Sequence, residues 1–244
     1  GRHEVVYGAM VVDDNGKGLF STGFRHGDAL HVGAFVPGRP GVQVFGVHEN
    51  ERPGCPKSPG MALFDGKDGD ILFHTALGED VGCGLAADID PRHPGAEFWG
   101  GTTEHGPRPL RNANGEAIGP APSTMNFAIW WDADPLRELL DQNWIAKWDY
   151  TNGTLTRPLT AEGATWNNGS KATPALSADL LGDWREEVIW RTPDNRFLRL
   201  YTTTIPAANR MPTLMHDPPY REAIAWQNTG YNQPPHPSFA IGPK

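Results

Sequence analysis

AADIDPRHPGAEFWG, residues 86–100, runs from an apolar pair through a turn of Asp, Pro and Gly to an acidic residue, and then into a second apolar run. Short apolar runs bounded by Pro and Gly suit two strands joined by a tight turn. The same order returns in GDALHVGAFVPGRPGVQVFGV (27–47) and in SADLLGDWREEVIWR (177–191). Each copy closes on an acidic or amide residue followed by apolar ones: Gln43-Val44-Phe45, Glu97-Phe98-Trp99 and Glu187-Val188-Ile189. A recurring strand, acidic turn and strand predicts an all-β fold, a β-propeller of repeated blades whose turns bind calcium.

Outside the repeat, further strand-like runs are EVVYGAMVV (4–12), VQVFGVH (42–48), ILFHTA (71–76), MNFAIWW (125–131), EVIWR (187–191) and FLRLYTTT (197–204). Gly (29) and Pro (23) make up about a fifth of the 244 residues, as suits many short strands and tight turns. LRELLDQN (136–143) stands apart, because Leu136, Leu139 and Leu140 fit one helical face, though neighbouring strands can override that period. No apolar run approaches the length of a membrane span, so no membrane partner is expected. A formal charge of −8 argues against a nucleic-acid partner, which needs a basic face. Cys55 and Cys83 are compatible with a disulfide without requiring one.

Three stretches carry chemistry. In DIDPRHPGAE, Asp88, Asp90 and Glu97 can converge on a hard cation that takes six to eight oxygens, and Asp179, Asp183 and Glu187 repeat the arrangement more loosely. In FRHGDALHVG, His26 and Asp28 lie two apart on a strand and share a face, so both can ligate one ion with Glu49 from a neighbouring strand. WNNGSKATP (166–174) offers the Asn168 and Ser170 oxygens beside Lys171. A lysine next to a bound dication has its pKa depressed, the condition for acting as a base near neutral pH. TLMHDPPYREAIAWQNTGYNQPPH (213–236) sets aromatics and amides in a Pro-rich segment, as suits sugar binding.

The motifs GDALHVG, DVGCGLAADIDPRHPGAE, NFAIWWD, LRELLD, NNGSKATP, LLGDWREEVIWR, LRLYTTT, LMHDPPYR and AWQNTGYNQPPHPSF follow one another end to end in an order that resembles the family 11 polysaccharide lyases acting on rhamnogalacturonan. The resemblance implies a secreted, calcium-dependent, eight-bladed propeller that cleaves the pectic polysaccharide rhamnogalacturonan I by β-elimination. It makes residues 1–244 the later part of that propeller, about four to five blades. The missing half, or self-association through an uncovered edge, is then the expected partner. By the same resemblance Asn168, Gly169 and Ser170 form a metal-binding segment, Lys171 is the base or an anchor for the substrate carboxylate, and Tyr231 contacts substrate. His26, Asp28 and Glu49 then ligate a further metal. Cys83 stands where the family pattern has an arginine gripping the substrate, and a thiol cannot make that bidentate contact. Ala34, Val36 and Gln43 replace acidic residues, so a turn metal is not expected there, while Ser170 for threonine keeps the oxygen. A non-catalytic calcium-binding propeller that holds pectin, or an adhesion scaffold, is the alternative.

Overall fold

A computed structural model describes residues 3–49, 60–102, 105–207 and 209–242. Every strand pairing in it is antiparallel and falls within one of five sheets, which follow one another along the chain. The first sheet holds β1 (Val5–Tyr7), β2 (Met10–Val12) and β3 (Gly18–Ser21), and the second β4 (Gly27–Gly33), β5 (Gln43–His48), β6 (Met61–Asp65) and β7 (Ile71–Thr75), each in sequence order. In the third, β9 (Glu97–Thr102) pairs with β8 (Cys83–Ala87), β10 (Gly106–Pro107) and β11 (Leu110–Arg111), and β11 pairs with β12 (Ala117–Gly119). The fourth is the meander β13 (Phe127–Ile129), β14 (Glu138–Asp141), β15 (Trp144–Asp149) and β16 (Thr154–Thr160), and the fifth joins β17 (Leu176–Ala178), β18 (Glu187–Arg191) and β19 (Leu198–Tyr201).

Successive sheets pack face to face. Phe45, Val47, Met61 and Leu63 of the second meet Ala86 and Phe98 of the third. Leu85 and Trp99 of the third meet Ala128, Leu139 and Trp148 of the fourth, whose Phe127, Ile129, Leu140 and Ile145 in turn meet Val188 and Trp190 of the fifth. Adjacent residues such as Phe98 and Trp99 therefore serve opposite faces, as the two-residue period of a strand dictates. Because both faces are covered, β5, β6 and β14 are buried throughout, and apart from polar residues at their ends they carry adjacent apolar residues rather than a polar alternation. Each large side chain so buried contributes about 1.5–3 kcal/mol of transfer free energy. The two ends of the stack differ, with Val5 and Tyr7 of β1 exposed at one and Phe197, Leu198 and Leu200 exposed at the other.

The helical period over residues 136–143 is not realised. Leu140 pairs with Phe127 on one side and Ile145 on the other, and Gln142 turns the chain at a φ of 50°. Leu139 and Leu140 are buried against different sheets, so one apolar stripe on a helix could not satisfy both. The helix forms later, as α1 (Pro218–Trp226), started by Asp217, whose carboxylate accepts from Tyr220 N, and by the prolines of its first turn.

After α1 the tail crosses back over the stack. Gln227 bonds both the N–H and the C=O of Ser177 in the fifth sheet, and Pro237 O accepts from Ala34 N beside the second. Between these points His236 is wedged between His31 and Arg137. The buried Arg137 guanidinium donates to Pro235 O, Ala128 O and Glu186 and lies over the Trp130 ring at 4.0 Å.

Candidate functional site

The acidic turns share one device. Glu97, at the start of β9, accepts through Oε2 from the backbone N–H groups of Ile89 (2.9 Å) and Asp90 (3.0 Å). Glu138 Oε2 accepts in the same way from Trp131 and Asp132, Glu187 Oε2 from Leu180 and Leu181, and Gln43 Oε1 from Phe35 and Val36. Two orphan donors of the turn are thus held by the strand that follows. The fourth instance, over residues 128–138, escaped the sequence comparison, although Asp132-Ala133-Asp134 repeats the spacing of Asp88-Ile89-Asp90.

What the second oxygen does separates the turns. Glu187 Oε1 accepts from the Thr202 hydroxyl, Glu138 Oε1 from Lys147, and the Gln43 amide donates to Gly41 O. Glu97 Oε1 is buried with no hydrogen bond, and burial, with the charges of Asp88 and Asp90, pushes this carboxyl up to about 9 against the pull of its two N–H donors. Burial, then the charges of Asp134 and Asp90, raises Asp88 to about 7. Asp90 itself is clasped by Arg92 at 2.6 and 2.8 Å. The expected convergence of Asp88, Asp90 and Glu97 is therefore not realised, because a guanidinium already takes both oxygens of the middle residue. Nor are Asp179, Asp183 and Glu187 free to ligate. Asp179 is fully buried and accepts from Gly182, Trp184 and Leu214 backbone N–H groups and from Thr213, while Asp183 pairs with Arg185.

Among the described residues, ligand-type atoms gather within 4.8 Å of one another in two groups, His26–Asp28–Glu49 and Asp132–Asp134–Glu138. The first is the set expected from the sequence. His26 Nε2 lies 3.3 Å from Asp28 Oδ1 and 3.6 Å from Glu49, and Asp28 Oδ1 is buried without a hydrogen bond. Burial and the Asp28 charge raise the Asp80 carboxyl, which brings to this place an acid the sequence did not single out.

Lys171 lies beside that group. Its Nζ sits 3.5 Å from the centre of the Tyr231 ring, and the Tyr231 hydroxyl is hydrogen-bonded to Asp28. Burial, then that bond and the charges of Asp28, Glu49 and Asp80, pushes the phenol up to about 12. Cys83, at the start of β8, is a half-buried free thiol raised by burial and by the Asp28 charge, with Lys171 opposing. Cys55 lies outside the described residues. The 168–171 loop is held from several sides: Asn168 donates to Gly230 O at 2.9 Å, Trp166 to Gly169 O at 2.9 Å, Asn126 to Ser170 O, and Asn232 to Lys171 O. Asn126 is fixed in turn by Asp141, which also takes the Thr124 hydroxyl. Asn168 and Ala172 both have left-handed φ, 64° and 48°, a strain that so tied a loop can sustain. The structure thus unites Lys171, Tyr231, Cys83, His26, Asp28 and Glu49, and leaves Asp88, Asp90 and Glu97 in a separate turn.

Stacked antiparallel sheets that bring a lysine, a tyrosine and a group of metal-ligand-type side chains to one place define an all-β protein with a candidate functional site there. The comparisons then give the family: residues 1–244 match the C-terminal domain of rhamnogalacturonan lyase family 11, and the chain belongs to that family. It is 56% identical over 243 residues to the rhamnogalacturonan endolyase YesW of Bacillus subtilis strain 168, covering 99% of this chain and 38% of YesW. To the rhamnogalacturonan exolyase YesX of the same organism it is 50% identical, covering 99% of this chain and 41% of YesX. The crystal structure of YesW superposes with a TM-score of 0.91 over 98% of this chain and 40% of that one. The Bacillus licheniformis rhamnogalacturonan lyase, 55% identical, gives 0.90 over 98% of this chain and 39% of that one. The chain therefore spans about two fifths of the length of these relatives.

Proposed function

We propose that this chain supplies the later blades of the catalytic β-propeller of a secreted, calcium-dependent rhamnogalacturonan lyase, which cleaves the rhamnose–galacturonate backbone of pectin by β-elimination. The observation that carries this reading is the meeting of Lys171, Tyr231 and Asp28, from three distant segments, in a chain of family 11. The five sheets would be five blades, and the exposed apolar residues of β1 and β19 would face the remaining blades of an eight-bladed ring.

The elimination removes the proton at C5 of a galacturonate and breaks the bond between C4 and the glycosidic oxygen. Lys171 takes the C5 proton. The electron pair left at C5 forms the double bond to C4 as the glycosidic oxygen departs with the bonding pair and takes a proton from water. Tyr231 holds the lysine side chain against its ring, and Asp28 fixes the phenol, so the amine is presented in one orientation. The carboxylates of Asp28 and Glu49 would hold a calcium ion here, with His26 beside them, since the group gathers ligand atoms, a buried Asp28 oxygen without a hydrogen bond and the added charge of Asp80. Calcium, when bound, neutralises the galacturonate carboxylate and so acidifies the C5 proton. The carbonyls of Gly169 and Ser170 already accept hydrogen bonds, so this loop serves first to hold Lys171.

Rhamnogalacturonan I incubated with calcium and the complete protein, the remaining blades included, should yield oligosaccharides with the ultraviolet absorbance of an unsaturated uronate. Lys171→Ala should slow their release by about 10²–10⁴-fold, the usual contribution of a positioned base, with pectin binding retained. Binding without product, or an unchanged rate in Lys171→Ala, would overturn the reading.

A further inference from the structure

Lys147, on β15, reaches the turn that precedes β14 and places its ammonium 2.8 Å from Asp132, 2.7 Å from Asp134 and 2.6 Å from Glu138. An ammonium has three donors, and here each meets a different carboxylate at charge-assisted distance. The three acids are the second group whose ligand atoms converge, and Glu138 is also one of the four residues that hold their turns by two backbone N–H groups. In the Asp90 and Asp183 turns the chain's own cation is an arginine two residues on, Arg92 or Arg185, whose ion pair is with that one aspartate and which otherwise donates to a backbone carbonyl, Tyr150 O or Ile205 O. No arginine stands two residues after Asp132 or Asp134, where the sequence has Asp134 and Leu136.

We propose that Lys147 is the resident cation of this turn: its ammonium fills the point at which Asp132, Asp134 and Glu138 converge, and removing it converts the turn into a site for one divalent cation such as calcium. The inference concerns a turn distinct from the His26–Asp28–Glu49 group and does not depend on lyase activity. With the ammonium in place the turn holds its shape without an ion. With the ammonium gone, three carboxylates remain around a vacancy, one of them on the almost fully buried Glu138 side chain, and a hard cation that collects carboxylate oxygens is the group that fits.

The test uses Lys147→Met, which keeps an apolar stem without the charge, and a triple variant, Lys147→Met with Asp132→Asn and Asp134→Asn. Bound calcium per chain is measured by equilibrium dialysis with metal analysis, and melting temperature is measured in chelator and in calcium. Lys147→Met should hold one calcium more than the unsubstituted chain, melt lower in chelator, and recover in calcium. The triple variant should gain no ion and respond less to chelator. An equal calcium content in folded Lys147→Met, an extra ion in the triple variant, or failure of Lys147→Met to fold even in calcium would each overturn the proposal.

Discussion

Acidification should strike the fold at the buried contact of His31 with His236. The Arg137 guanidinium can only donate, so His236 Nδ1, 3.1 Å away, accepts from it. His236 then carries its proton on Nε2 and donates to His31 Nδ1 at 3.0 Å, and His31 in turn donates from Nε2 to Gly84 O at 3.0 Å. Each imidazole is thereby fixed in one neutral tautomer, and adding a proton to either breaks a hydrogen bond in a site that is also beside a guanidinium. Burial, followed by the Arg137 charge acting against the bond to Gly84, lowers His31 from 6.5 to about 4, and the same burial and charges hold His236 well below its ordinary value. In the unfolded chain both histidines take up protons near pH 6.5, so between about pH 6.5 and 4 the unfolded state binds more protons than the folded one. Stability is accordingly full above that window and is lost as pH falls through it. A shift of about 2.5 units at about 1.36 kcal/mol each gives a loss of about 3 kcal/mol from His31 alone by pH 4, and His236 adds to it with the same sign. Denaturant unfolding at about pH 7 and about pH 4.5 should show the loss in the unsubstituted protein, and a smaller loss in His31→Gln, which cannot be charged. Equal losses in the two proteins, or an NMR titration of His31 near its ordinary pKa, would refute the reasoning.

Gly84→Ala should cost about 1–3 kcal/mol, the range for overpacking, since its Cβ would lie 2.3 Å from Val47 Cγ1 where two sheets meet; thermal melts check this. The raised carboxyls of Asp88 and Glu97 run opposite to the histidines: in chelator their contribution to stability should fall as pH rises from about 4 towards 9, because the folded state keeps protons the unfolded one releases. Glu97→Gln, which imitates Gln43, should flatten that slope in melts taken across the range. On the proposed function, Cys83→Arg in the complete enzyme should raise kcat/KM on rhamnogalacturonan I about tenfold or more, the scale of a charge-assisted contact to the substrate carboxylate, and an unchanged value would remove Cys83 from the proposed substrate site.

The all-β fold was legible because turn residues recur between short apolar runs, and the acidic repeat marked where one strand hands over to the next. The segment 136–143, whose helical period left strand and helix both open, shows the limit of periodicity. Leu139 and Leu140 sit on a strand buried on both faces, so every position there is apolar or clamped, and the two-residue alternation that would have declared a strand is erased. The site was legible in part, since Lys171, Tyr231, Asp28 and His26 were picked out and do meet. Their meeting could not be read from spacing, because it depends on a tail that returns over the stack after α1. The fate of the acidic turns was hidden for a related reason. Whether an Asp meets a cation, an arginine or a lysine depends on side chains such as Arg92 and Lys147, and Lys147 arrives from another strand.

That returning tail joins two features described separately above. Gly230 and Asn232 tie down Asn168 and Lys171, and Tyr231 carries the lysine on its ring. A few residues on, His236 seats the same segment between the second and fourth sheets through His31 and Arg137. The segment that orients Lys171 from the tail side is therefore anchored in part by imidazoles that must stay neutral, alongside the bonds of Gln227 to Ser177 and of Ala34 to Pro237. Protonating them weakens the anchor, so an acid limb in the pH profile of this site has a structural origin in His31 and His236 that is distinct from the chemical role of the lysine. The two are separable because they sit on different residues: His31→Gln acts on the anchor and leaves the amine in place, whereas Lys171→Ala removes the amine and leaves the anchor.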